Sequence, residues 1–137
     1  MNRNDLQLLA HERVRDADVL LQAGQWSGAY YLAGYAVECA LKACIARLTN
    51  LHDYPDKAFA VKCFTHNIET LVDAADLIEV RNAELQANVP LGKNWILVKN
   101  WNESSRYSMW SEAQARVLYA AVNDPATGVF PWIVARW

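Results

Sequence analysis

Glycine and proline are scarce in this chain, with five and four residues among 137. This scarcity excludes collagen-like and low-complexity proteins, which are rich in both. No run of about 18 apolar residues occurs, so the sequence predicts no membrane-spanning helix. No apolar stretch follows Met1 and its polar neighbours, so we expect no signal peptide.

Cysteine is also rare, and its spacing fits neither a disulfide framework nor a metal site. Cys39, Cys44 and Cys63 are odd in number, form no C-x-x-C pair and have no histidine at zinc-ligand spacing. We therefore expect three reduced thiols that pack as small apolar groups. Reduced thiols are typical of the cytoplasm, and the sequence predicts a cytoplasmic protein without a metal or other cofactor.

Neither sign of charge dominates the chain. Thirteen basic and fifteen acidic residues give a net charge of −2, and no basic segment stands out. Binding to duplex DNA depends on clustered lysine and arginine, so we do not expect it here. Hydrophobic residues make up 53%, enough to bury a proper core. The composition therefore predicts one globular domain over residues 1–137.

Apolar residues recur at intervals of three and four along most of the chain, which predicts an all-α protein. The predicted helices span about residues 4–22, 27–50, 66–77, 79–88 and 111–122. Thr65 is the expected cap of the third helix, and residues 51–64, which contain Pro55, are expected to be a loop. Residues 93–101 are expected to form one or two turns, and Asp124-Pro125 to restart a helix. The architecture we expect is an antiparallel up-and-down bundle of four to five helices.

The second helix is apolar on nearly all sides, which is typical of a buried central helix. The exception is a polar edge, defined here as Tyr31, Tyr35, Glu38 and Lys42, whose spacing places them on one face. One interpretation is an intrahelical Glu38–Lys42 ion pair flanked by tyrosines. The other is a groove in which Lys42 meets a phosphate or another acidic group beside a tyrosine wall. The two interpretations are compatible.

Three segments resemble the HEPN domain (higher eukaryotes and prokaryotes nucleotide-binding). AYYLAGYAVECALKA, residues 29–43, resembles the central helix of that family. THNIETL, residues 65–71, resembles the start of its third helix, and Ser105-Arg106-Tyr107 resembles its Arg-Tyr pair. The resemblance covers roughly residues 6–123. It implies a helical bundle that forms a homodimer.

The resemblance also implies a class of function. Many HEPN members are RNA-cleaving toxins of toxin–antitoxin systems, often paired with a nucleotidyltransferase-like protein, whereas others bind nucleotides or RNA. The nuclease members share an arginine, then four to six residues, then a histidine, typically after the third helix. Here Arg81 stands in that region, but no histidine follows it. We therefore expect a non-catalytic nucleotide- or RNA-binding module. The candidate ligand-binding residues are Tyr35, Glu38, Lys42, His66, Arg106 and Tyr107.

Two of these candidates also have simpler roles open to them. His66 can lie at the surface or cap its helix locally. Arg106 can pin its loop to Glu38 or to another carboxylate. As ligand-binding residues, His66 and Arg106 would face one cleft together with Tyr107.

One formal match to the nuclease spacing exists elsewhere. Arg47 is followed five residues later by His52, but the pair lies at the end of the second helix. We interpret it as a chance match, since both side chains can stabilise the carbonyls at a helix C-terminus. Arg47 and His52, or His66 with Arg106, nevertheless define the enzymatic alternative, a metal-independent endoribonuclease toxin. A dimeric protein-interaction scaffold is the third hypothesis.

The chain is unusually rich in tryptophan, with six residues. Stacking on unpaired bases is one use of such side chains. Since no lysine or arginine clusters lie nearby in the sequence, a structural use is the better interpretation. We expect Trp95, Trp101, Trp132 and Trp137 to close the bundle or to build a dimer surface.

Overall fold

The computed structural model describes residues 1–54 and 56–137, and these residues form helices without any strand. Pro55, used above as a loop signal, lies outside the described residues. The α-helices are α1 Arg3–Gln22, α2 Trp26–Leu48, α3 Lys57–Cys63, α4 Ile68–Ala74, α5 Ile78–Ala87, α6 Val89–Lys99, α7 Glu112–Asn123 and α8 Val129–Val134. A short 3-10 helix, η1, spans Glu103–Tyr107. The all-α prediction is confirmed.

The two longest helices, α1 and α2, pack against each other as a hairpin. Asn2 and Asp5 form a capping box that starts α1. Gly24 reverses the chain after α1 with a φ of 73°, a left-handed conformation that glycine adopts without steric cost. The backbone N–H of Gln25 then donates to the carbonyl of Leu20 at 2.8 Å, which closes the turn.

Helix α2 is the centre of the fold, as its composition predicts. It packs against α1, α4, α7, α8 and η1. Small buried residues let these neighbours approach closely; they include Ala29, Ala33, Gly34, Ala36, Ala40 and Ala43. The closest approach is at Gly34, where a Cβ atom would overlap the indole ring of Trp101. Glycine is therefore required here for packing.

Several predicted boundaries are wrong, each for a local reason. Residues 51–64 are not all loop, because Asp56 caps α3 by accepting from the N–H groups of Ala58 and Phe59. Asn67, and not Thr65, caps α4 by accepting from Thr70 N–H. Helix α6 runs from Val89 to Lys99 and is thus longer than one or two turns.

The two helix restarts also differ from expectation. The helix predicted over about residues 79–88 was expected to end at Pro90, but Pro90 occupies the first turn of α6, where a missing N–H costs nothing. After α7, Asp124 does not start a helix. Its carboxylate accepts from Ala126 N–H and from the N–H and hydroxyl of Thr127, which stabilises a turn. Helix α8 therefore begins only at Val129.

Three tryptophans lie in the core of this chain. Trp95, Trp101 and Trp132 are buried, and the rings of Trp95 and Trp132 meet edge to face with centroids 5.7 Å apart. Trp137 is half-buried and packs edge to face on His11 and Phe130. These side chains close the bundle. Across the described residues, no helix combines the length and the apolar character needed to cross a membrane.

Candidate functional site

The polar edge of α2 lies on one face of that helix, as the spacing predicts. Glu38 is nonetheless buried, with 1% of its surface exposed, whereas Tyr31, Tyr35 and Lys42 are half-buried. Lys42 Nζ donates to Glu38 Oε1 at 2.7 Å, so the predicted intrahelical ion pair is confirmed. Burial of the carboxylate makes this pair different from an ordinary surface pair.

His66 is the second partner of the buried carboxylate. Its Nδ1 atom lies 2.9 Å from Glu38 Oε1, the same oxygen that accepts from Lys42. The other oxygen, Oε2, is buried and has no hydrogen-bond partner among the described residues. The Lys42 side chain is 22% exposed and that of His66 is 48% exposed. A buried anion thus holds two basic side chains at the surface.

The position of His66 follows from the start of α4. Asn67 caps that helix, and Ile68, Leu71 and Val72 bury its inner face against α2. His66, the residue directly before the cap, is therefore held beside α2, where its Nδ1 atom reaches Glu38. The sequence did not predict this contact, because Glu38 and His66 are 28 residues apart, one within α2 and the other in the segment before α4.

Arg106 and Tyr107 lie on η1, which packs against α2. Two contacts of Trp110 fix this segment: its backbone N–H donates to Ser27 Oγ at 2.9 Å, and its indole N–H donates to the Ser105 carbonyl at 3.0 Å. Its ring also stacks on Tyr30 with centroids 3.7 Å apart. These contacts hold Arg106 and the 80% exposed Tyr107 at the protein surface.

Arg106 does not pin its loop to Glu38. Its guanidinium lies over the ring of Tyr107, 4.8 Å from the centroid. Interactions with the side chains of Tyr107 and, next, Tyr31 raise the pKa of Arg106. Arginine is a permanent cation, so Arg106 places a positive charge next to Tyr31 at the polar edge of α2.

The two tyrosines of the polar edge join Arg106 to the Glu38 cluster. The rings of Tyr31 and Tyr35 are nearly parallel, with centroids 6.1 Å apart, and Trp101 supports Tyr31 from the core at 5.8 Å. Burial, followed by the neighbouring Cys39 thiol, raises the pKa of Tyr35 to about 12. Its hydroxyl therefore stays neutral near pH 7. Burial likewise raises the pKa of Cys39 to about 11, so this thiol is unreactive.

The resulting surface is elongated. Arg106 lies at one end, beside Tyr31. Lys42 lies at the other end, next to the imidazole of His66. Tyr31 and Lys42 are eleven positions apart in α2, which corresponds to about 16 Å along the helix axis. This length equals roughly five stacked nucleotides at ~3.4 Å each.

The remaining arginine and histidine candidates have other environments. Arg47 lies exposed in the last turn of α2, and His52 lies in the following turn with a φ of 80°. The described residues show no hydrogen bond or ion pair between them. Arg81 is buried on α5 and binds Glu69 of α4 with two hydrogen bonds of 2.6 and 2.8 Å. Sequence spacing did not reveal that pair.

Comparisons with known proteins identify no relative for this chain. No protein-family model, no curated protein and no solved structure matches it. Within the described part of the chain, no three histidine, cysteine, aspartate or glutamate residues are grouped so that they could hold a metal ion.

Proposed function

We propose that this chain is a HEPN-like helical module that binds a nucleotide or single-stranded RNA along the polar edge of α2, without cleaving it. The carrying observation is the pair of basic side chains that Glu38 holds at the surface, in line with Tyr31 and Arg106. Phosphate is the ligand that the two separated cations, Lys42 and Arg106, recognise, and exposed aromatic rings such as Tyr107 stack on bases.

The spacing of the cations favours an oligonucleotide over a single phosphate. Tyr31, which Arg106 adjoins, and Lys42 lie about 16 Å apart along the helix axis, farther than one nucleotide reaches. The chain carries no excess of positive charge, so binding is expected to be modest and to depend on the few cations at this site.

Fluorescence anisotropy with a labelled single-stranded hexa-riboadenylate tests this function. Lys42→Ala and Arg106→Ala should each weaken binding about tenfold, since each removes one charged contact to phosphate. Lys62→Ala and Arg116→Ala are the matched controls. Lys62 also binds a carboxylate, and Arg116 also lies over an aromatic ring, but neither belongs to the polar edge.

Two outcomes would contradict the proposal. One is the absence of binding by the folded wild-type chain, and the other is an equal loss with the control variants. Circular dichroism should accompany each titration, because Lys42 also stabilises a buried carboxylate. Gel analysis of the RNA after incubation in EDTA tests the endoribonuclease alternative, which predicts cleavage that His52→Ala or His66→Ala abolishes.

The partners implied by the HEPN resemblance remain part of this proposal. A homodimer would have twice the chain mass of 15.5 kDa in light scattering. Because Trp95, Trp101 and Trp132 are buried within one chain, its interface would need other apolar residues. Exposed apolar residues that could form it lie in α3 and on either side of it, namely Leu51, Val61 and Phe64. Co-purification of a nucleotidyltransferase-like protein without any RNA binding would instead favour the scaffold alternative.

A further inference from the structure

The imidazole of His66 has two nitrogens in different surroundings. Nδ1 faces the buried Glu38 Oε1 at 2.9 Å, while 48% of the side chain is exposed. Nδ1 is therefore engaged in a hydrogen bond within the protein. A hydrogen bond between this ring and a ligand has to be made by Nε2.

The partner of Nδ1 decides which nitrogen carries the proton. A carboxylate accepts hydrogen bonds and donates none, and Glu38 Oε1 already accepts from the Lys42 ammonium at 2.7 Å. The second oxygen, Oε2, is buried without a partner among the described residues, so the carboxylate still lacks donors. Nδ1 must therefore donate, and in the neutral ring Nε2 is left as a hydrogen-bond acceptor.

An acceptor at this position selects a particular ligand group. Phosphate oxygens are acceptors themselves, so they suit the neighbouring Lys42 and not a neutral Nε2. A hydroxyl that lies next to a phosphate supplies the missing donor. In an RNA chain the internal ribose 2′-hydroxyl is such a group, and DNA lacks it.

We propose that His66 is a specificity-determining residue that accepts a hydrogen bond from a ribose 2′-hydroxyl, and that Glu38 is the positioning residue that fixes its tautomer. This inference deepens the proposed function and rests on it. Lys42 binds the adjacent phosphate in this arrangement. The site therefore distinguishes RNA from single-stranded DNA without any reading of base sequence.

The test compares three hexa-adenylates at pH 8, where an ordinary imidazole is neutral. These are the ribo, the 2′-deoxy and the 2′-fluoro forms. The 2′-fluoro form cannot donate a hydrogen bond, and it keeps a sugar conformation close to that of RNA. The wild-type chain should bind the ribo form about fivefold more tightly than either of the others, the factor that one ordinary hydrogen bond provides.

His66→Asn is the decisive variant, because the asparagine amide can still donate to Glu38 where Nδ1 did. It should lower affinity for the ribo form about fivefold and leave the 2′-deoxy affinity unchanged. Lys42→Ala should weaken all three forms equally. Equal binding of the three forms by the wild-type chain would overturn the inference and leave the proposed function standing. Failure of all three to bind would overturn both.

A second measurement does not depend on any variant's stability. Nitrogen-15 NMR of the wild-type ring at pH 8 should show the proton of His66 on Nδ1. His11 and His52 are the other two histidines, and the spectrum of His66→Asn identifies the His66 signals by their loss. A proton on Nε2 would overturn the inference.

Discussion

Two lysine–carboxylate ion pairs of equal length, Lys42–Glu38 and Lys62–Asp73, differ in the burial of the carboxylate. Lys42 Nζ lies 2.7 Å from Glu38, and Lys62 Nζ lies 2.7 Å from Asp73. The Glu38 side chain is only 2% exposed, but that of Asp73 is 52% exposed. Water can solvate the exposed Asp73 carboxylate when Lys62 is absent, whereas the buried Glu38 carboxylate is shielded from water. The distance alone therefore does not reveal what each lysine contributes.

Lys42→Ala is accordingly expected to lower the free energy of unfolding by about 1–3 kcal/mol, because among the described residues it leaves the buried carboxylate with His66 as its one remaining donor. Lys62→Ala should have little measurable effect. Urea denaturation of both variants at pH 7 measures the difference. An equal effect of the two substitutions would show that the burial of Glu38 has no energetic consequence.

At the scale of the helices, strong periodicity predicted what weak local signals could not. The sequence predicts a central α2 because small and apolar residues continue around most of its circumference. The sequence does not predict α3, because its seven residues bury no side chain completely and so carry little apolar pattern. The capping oxygen of Asp56, two residues after Tyr54, was the only local signal for that helix.

The same limit applies to the candidate site. The spacing of Tyr31, Tyr35, Glu38 and Lys42 is a local property of one helix, so it could be predicted. The contact between His66 and Glu38 depends on how α4 packs against α2. No pattern within either helix encodes that contact. Its sequence signal would be paired variation among relatives, and a single sequence carries none.

A substitution at Gly34 tests whether the close packing of Trp101 on α2 positions the polar edge. Gly34→Ala places a methyl group against the Trp101 indole, and overpacking of this kind costs about 1–3 kcal/mol. Trp101 supports Tyr31, so the substitution should also weaken binding at the polar edge. Gly28→Ala is the matched control on α2, because its methyl group would meet only the end of the Leu20 side chain, at 3.0 Å.

Thermal unfolding of both alanine variants measures this prediction. A clear drop in Tm is expected for Gly34→Ala and little change for Gly28→Ala. If Gly34→Ala were as stable as the wild-type chain, the close approach of Trp101 to α2 would be wrong. In that case the support of Tyr31 from the core would also fail.

At the scale of the whole molecule, Arg81 joins the half of the fold that carries α4, α5 and α6. It lies on α5, binds Glu69 of α4 and has its guanidinium 5.2 Å from the centre of the Trp95 ring on α6. The Arg81 side chain is 6% exposed, so it depends on the Glu69 carboxylate for its charge partner. The position of α4, and with it that of His66, therefore depends on an ion pair outside the candidate site.

This ion pair predicts how stability changes in acid. Hydrogen bonds from Arg81 lower the pKa of Glu69 from 4.5. A lowered pKa means that the contribution of Glu69 is complete above about pH 4.5 and is lost as pH falls through the lower, folded-state value. Glu69→Gln should therefore reduce the free energy of unfolding at pH 7 by about 1 kcal/mol, a modest cost because solvent reaches the carboxylate.

Below pH 4.5 the difference between wild type and Glu69→Gln should shrink, because the wild-type carboxyl becomes neutral as well. Urea denaturation from pH 7 to pH 3 measures both profiles, and Glu112→Gln, which removes an exposed ion pair, serves as the control. A difference that stays constant down to pH 3 would contradict the lowered pKa of Glu69.

The same ion pair affects the candidate site. RNA binding should weaken in Glu69→Gln at pH 7, because the start of α4 holds His66 at the polar edge.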